Sequence, residues 1–116
     1  MTIREAAVAL GAEIVQNDFN DTELSGAYTS DLLSDVMAHA NRTEEGAEGG
    51  ALVTIQAHKN TVAVASLLDM SAIIICNARP VLEDMLAAAR EEGIAILRTK
   101  ENQFVVSGKL YALFNG

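Results

Sequence analysis

The stretch ALVTIQAHKNTVAVASLLDMSAIIICNARP, residues 51–80, decides how this chain folds. Two apolar runs, residues 51–55 and 72–76, each end on polar side chains, and the apolar small-residue segment 61–68 lies between them. Ile73-Ile74-Ile75 does not alternate apolar with polar. A run of that kind is apolar on both faces of a strand, which suits a parallel sheet covered by helices on each side. Runs this short are strand-length, whereas the intervening segment is long enough for helical turns. The stretch reads strand, helix, strand, and a parallel pair needs a right-handed crossover between its members.

The same grammar continues outward. A helix is predicted to open at Pro80 and close before Gly93, with Pro at its first position and Gly past its end. Its stripe is Val81, Leu82, Met85, Leu86 and Ala89. Residues 94–97 form the next strand, followed by a helix over about 101–114. Upstream, residues 26–29 lead into a helix from Ser30, striped by Leu32, Leu33, Val36, Met37 and Ala40. Asp31 and Asp35 fall near its positive end. At the start, Thr2-Ile3-Arg4-Glu5 is a capping box, and Ile3, Ala6, Ala7 and Leu10 recur at helical spacing before Gly11. Residues 12–15 form a short strand. Residues 41–50 hold three Glu, three Gly and little to bury, so a mobile acidic surface loop is expected there. The whole is an α/β three-layer sandwich with a mostly parallel sheet of about four to five strands. The helix 61–68, apolar nearly all round, should lie between the sheet and another helix or a partner subunit.

The totals agree. A chain of 116 residues, half of them hydrophobic, fits one domain spanning 1–116 with a core of aliphatic side chains. Its formal charge of −8 repels phosphodiester backbones, so a nucleic-acid partner is not expected. No apolar run reaches membrane-spanning length, and the first residues lack a secretory pattern, so no membrane association is expected. Cys76, the single cysteine, ends an apolar run; it reads as a buried small hydrophobe in a reducing cytoplasm. Two His and one Cys, widely spaced, make no zinc pattern, and no metal or cofactor is expected.

In an open parallel sheet, strand-to-helix junctions gather on the carboxyl edge, where ligands bind. Four junctions qualify: residues 29–31, 56–60, 77–79 and 99–102. They supply Ser30, Asp31, Gln56, His58, Asn60, Asn77, Arg79 and Thr99 as candidate contacts for a small anionic ligand. Ser30, Asn60 and Thr99 have a second reading as helix caps. Gln56, His58 and Arg79 are poor caps, which favours a site role for them. His58 also reads as a general base, with Asp31 its nearest orienting group. Neither G-x-x-x-x-G-K-[ST] nor G-x-G-x-x-G occurs, which argues against a kinase or dinucleotide enzyme.

The Val53-Thr54-Ile55-Gln56-x-His58 strand end, the Asn60 helix opening and Ala72-Ile73-Ile74-Ile75 together resemble the DRTGG-domain family, over about residues 26–114. The stretch corresponding to the motif that names the family is Asp21-Thr22-Glu23-Leu24-Ser25-Gly26, which keeps only the Asp and a Gly. The family is related to the N-terminal domain of the HPr serine kinases. The resemblance implies a regulatory or assembly module without catalysis of its own, often homodimeric, accompanying a catalytic unit.

Three functions follow as expectations. The first is a homodimeric regulatory domain sensing a nucleotide or phosphorylated metabolite at the carboxyl edge. The second is an adaptor that binds a protein partner through helix 61–68. The third is a small enzyme using His58.

Overall fold

The computed structural model describes residues 1–40 and 47–116. Five strands form one sheet in the order β1-β5-β4-β3-β2. They are β1 (Glu13–Gln16), β2 (Ala27–Thr29), β3 (Ala51–Thr54), β4 (Ala72–Ile75) and β5 (Ala95–Arg98). β2 to β5 run parallel, as the doubly apolar runs require, and every residue of β3 and β4 is buried. β1 lies antiparallel on the outer edge of β5, with a register shift between Ile14 and Gln16. The buried Gln16 amide there donates to the Ile94 carbonyl at 2.8 Å, tying that edge down.

Helices α2 (Leu33–His39), α3 (Lys59–Leu67) and α4 (Glu83–Glu92) are the crossovers between the parallel strands. Because β2, β3, β4 and β5 follow one another in one direction, crossovers of a single hand put all three on one face. Val36, Val62, Ala65, Met85 and Ala89 pack there against Leu52, Ile73, Ile75 and Ile96. Helices α1 (Ile3–Leu10) and α5 (Gln103–Asn115) cover the other face. Ile3, Ala6, Leu10, Val106 and Leu110 meet Val53, Ile74 and Leu97 there. The result is the three-layer sandwich expected. Each fully buried Ile or Leu on these faces contributes on the order of 1.5–3 kcal/mol by leaving water.

Local signals acted largely as read. Thr2 and Glu5 close both halves of the capping box, and Gly11 ends α1 in the left-handed region at φ 63. Gly93 ends α4 in the same way. The start of α4 departs from expectation, because the helix begins at Glu83 and not at Pro80. Asn77 (φ 59) and Ala78 (φ 50) form a left-handed turn closed by the Arg79 amide on the Cys76 carbonyl. The chain is again extended at Leu82 (φ −82, ψ 162), immediately before the helix. α3 fits tightly between α2, α4 and the sheet, and Val64 is only 8% exposed. Val62, Val64, Ala65 and Leu68 are thus covered by the same chain, while Ala63 and Leu67, the latter 66% exposed, stay on the surface of the helix.

The loop expected over 41–50 falls in part outside the described residues. Of its last four residues Ala47 and Gly50 are buried and Glu48 is exposed, and the Gly49 amide donates to the Asp69 carbonyl at 2.8 Å. Among the described residues no helix is long and apolar enough to cross a membrane.

Candidate functional site

The register of the parallel strands fixes where their polar ends emerge. Thr29 pairs with Val53, Thr54 with Ile75, and Ile75 with Arg98. The four junctions consequently line one carboxyl rim, in the order 29–31, 56–60, 77–79 and 99–102.

Along that rim the candidate residues divide. Gln56 and His58, from the segment between β3 and α3, line the same concavity as Arg79 and Pro80, from the segment between β4 and α4. Its volume is about 480 Å³, and Ile55, Ala57 and Leu82 give it apolar walls. His58 and Arg79 are both exposed. Arg79 has no ion-pair partner among the described residues. Asn60 borders an adjoining groove of about 240 Å³, with His58, Lys59 and Asp84. It lies inside the first turn of α3, whose N-cap position is His58 without a side-chain cap bond, so Asn60 does not cap.

The remaining candidates lie outside that concavity, and Thr99 lines a different one beside the end of β5. Ser30 Oγ accepts from the Leu32 amide at 3.1 Å, a local turn ahead of α2. Thr99, buried, accepts from the Glu101 amide at 3.2 Å in a similar turn, while Asn102 caps α5 by accepting from Val105. Asn77 is exposed in the left-handed turn and does not line the His58 concavity.

Asp31 stands just before the Leu32 N-cap position of α2, near the positive end of the helix, and makes no hydrogen bond or ion pair with His58 among the described residues. α2 begins two residues later, at Leu33. Asp31 Oδ1 accepts from the Ile55 amide at 3.1 Å and the Thr54 hydroxyl at 3.3 Å. Oδ2 accepts from Gln103 Nε2 at 2.9 Å, and the Asp31 carbonyl accepts from Gln56 Nε2 at 2.9 Å. Asp31 thus braces β3 and α5 against the β2–α2 junction and holds Gln56 against the concavity wall. The brace includes Gln103, which the sequence reading did not single out. Nothing in the local pattern marks a glutamine whose partner lies 72 residues away.

Cys76 is fully buried at the end of β4. Burial, reinforced by the negative charge of Asp31, pushes its thiol up to about 11. At neutral pH it is a protonated packing residue and not a nucleophile. Among the described residues no cluster of three or more His, Cys, Asp or Glu is placed to hold a metal ion. The concavity presents one imidazole, one guanidinium and one amide, all of which can donate hydrogen bonds. Such a set, in a chain of formal charge −8, favours an anion.

Among solved structures, the chain is similar to the CBS and DRTGG domains of the regulatory region of a pyrophosphatase from Clostridium perfringens, solved in complex with its activator, diadenosine tetraphosphate. The likeness covers 94% of this chain and 45% of that one, at a TM-score of 0.69 and 15% identity. The fold is therefore DRTGG-related. No protein-family model matches the sequence, and no curated protein matches it.

Proposed function

We propose that this chain is a non-catalytic regulatory module that senses a small anionic ligand, a nucleotide or phosphorylated metabolite, in the concavity between the β3 and β4 loops. The observation that carries this reading is the shared 480 Å³ concavity of His58 and Arg79. Gln56, His58 and Arg79 supply the direct contacts, and Asn60 extends them along the adjoining groove. The solved region of similar fold binds a nucleotide activator in its own protein, which supports the ligand class. The reading as an enzyme using His58 lacks support, because both Asp31 oxygens are engaged elsewhere and Cys76 is buried and protonated. A cytoplasmic setting accords with the free thiol.

Self-association belongs to the same proposal. Phe104 and Tyr111 are 86% and 72% exposed and lie seven residues apart on α5, so they share a stripe. Gly108, between them, has no atom beyond its chain neighbours and its own helix backbone within 4 Å of where a Cβ would stand. A mid-helix glycine costs up to about 1 kcal/mol relative to alanine. No packing within this chain requires that cost, so close approach by a second copy gives the glycine a use.

A thermal-shift series with ATP, AMP and inorganic pyrophosphate tests the ligand reading. A probe at about a hundredfold excess over its dissociation constant stabilises by about 2.7 kcal/mol, and His58→Ala should lower that gain while the unliganded melting temperature stays in place. If no probe raises the melting temperature, this reading fails.

A further inference from the structure

We infer that the same rim carries a second anion-binding site, on the opposite face of the sheet from His58, built for a ligand with a di- or triphosphate group. A concavity of about 610 Å³ opens beside the carboxyl end of β5 and is lined by Arg98, Lys100 and Lys109. These are three of only eight Lys and Arg in a chain with sixteen Asp and Glu. None of the three has a carboxylate within ion-pair distance among the described residues. By contrast Arg4 lies over the Phe19 ring and Arg90 pairs with Glu83.

The topology assembles the cluster. Arg98 ends β5, Lys100 follows it, and Lys109 reaches the same concavity from α5 because that helix crosses to the α1 face. The antiparallel placement of β1 brings Glu13 opposite Arg98 in register, yet the two form no ion pair. Glu13 and Glu101 also line the concavity, so three cations face two carboxylates. That balance disfavours a bare cation, and a singly charged anion can satisfy only part of the cation set. A ligand bearing two or more negative charges can engage all three cations at once. The volume lies in the range of small-molecule sites, and Val8, Leu10 and Ala78 give apolar wall for the rest of the molecule.

This site is independent of the His58 concavity. The left-handed turn stands between them, with Ala78 lining one and Arg79 the other. The basis is a charge cluster that becomes visible only when β5, α5 and β1 are placed in space.

Inorganic triphosphate is the probe for the test, titrated into the isotopically labelled full chain at about 0.1 M salt, where surface charges are screened beyond about 10 Å. Amide resonances of Gly11, Lys100 and Lys109 should move. Lys100→Gln with Lys109→Gln should weaken affinity about tenfold or more, given two lost charge-assisted contacts. Lys100→Arg with Lys109→Arg should retain binding, and His58→Ala with Arg79→Gln should leave it unchanged. Both lysines are exposed, so the variants should melt as the parent does. An unmoved spectrum at millimolar triphosphate overturns the proposal. So does undiminished binding by the double glutamine variant, or binding lost only with His58 and Arg79.

Discussion

Gln103 Nε2 donates to Asp31 Oδ2 at 2.9 Å, joining the start of α5 to the β2–α2 junction. The same carboxylate receives the Ile55 amide, and the Asp31 carbonyl receives the Gln56 side chain. One aspartate therefore fixes the outer half of the rim and the orientation of one wall of the His58 concavity. Gln103 Oε1 is buried without a partner among the described residues, so the brace is held at some cost to its glutamine.

Asp31→Ala should destabilise the fold by about 2–4 kcal/mol, because it strands the Ile55 amide and the Gln103 side chain in a partly buried setting. Urea unfolding should show a lower midpoint with an unchanged slope. A shift within experimental error would mean that the brace is not needed.

Ala78 sits at φ 50 and Asn77 at φ 59, held by the Ala78 amide on the Thr99 carbonyl at 2.8 Å and the Asn77 amide on the Glu101 carbonyl at 3.0 Å. A left-handed non-glycine residue costs roughly 1–2 kcal/mol. Ala78→Gly should recover part of that against its own chain entropy, a net gain of about 0.5–1 kcal/mol. Gly93→Ala, at φ 68, should lose stability by a similar amount. Equilibrium unfolding of both variants checks the pair of opposite signs.

How much of this could be read from the residues follows the range of the interactions. Periodic apolar runs and caps are local, so five strands, five helices and the parallel core were legible from Ile73-Ile74-Ile75 and its neighbours. The antiparallel seat of β1 was not, since Glu13–Gln16 carries no mark of which strand it will join. The rim was legible because a parallel sheet dictates it. The division of labour on it was not. Asp31 looks like a ligand contact in sequence and serves as a brace, because its partners at Ile55 and Gln103 are set by packing, whereas Thr99 closes a local turn and also lines the concavity beside β5.

Alkaline pH should expose the buried thiol. The Cys76 pKa is raised by burial from 9.0 to about 11, so the folded state keeps its proton while the unfolded state loses it. This contribution to stability is complete below pH 9 and disappears as pH climbs through about 11. Tyr28, held up by its hydrogen bond to Asp35, adds in the same direction above its ordinary value. Cys76→Ala should lower stability at pH 7 through lost packing, and its further loss on moving to alkaline pH should be smaller than the parent's. Parallel slopes for the two proteins would count against this assignment.

Phe104→Glu with Tyr111→Glu should convert a self-associated species to a 12.3 kDa monomer in light scattering, with the melting profile of the monomer preserved. A parent chain that is already monomeric at high concentration would remove the α5 interface.

The most direct test of the account is an amide-resonance titration of the full chain with ATP, followed residue by residue. The expected result is saturable movement at Gln56, His58 and Arg79, abolished by His58→Ala with Arg79→Gln and retained in the double glutamine variant of Lys100 and Lys109. Resonances around His58 and Arg79 that stay fixed at millimolar ATP would contradict the claim that this concavity is a receptor, whatever happens elsewhere on the rim.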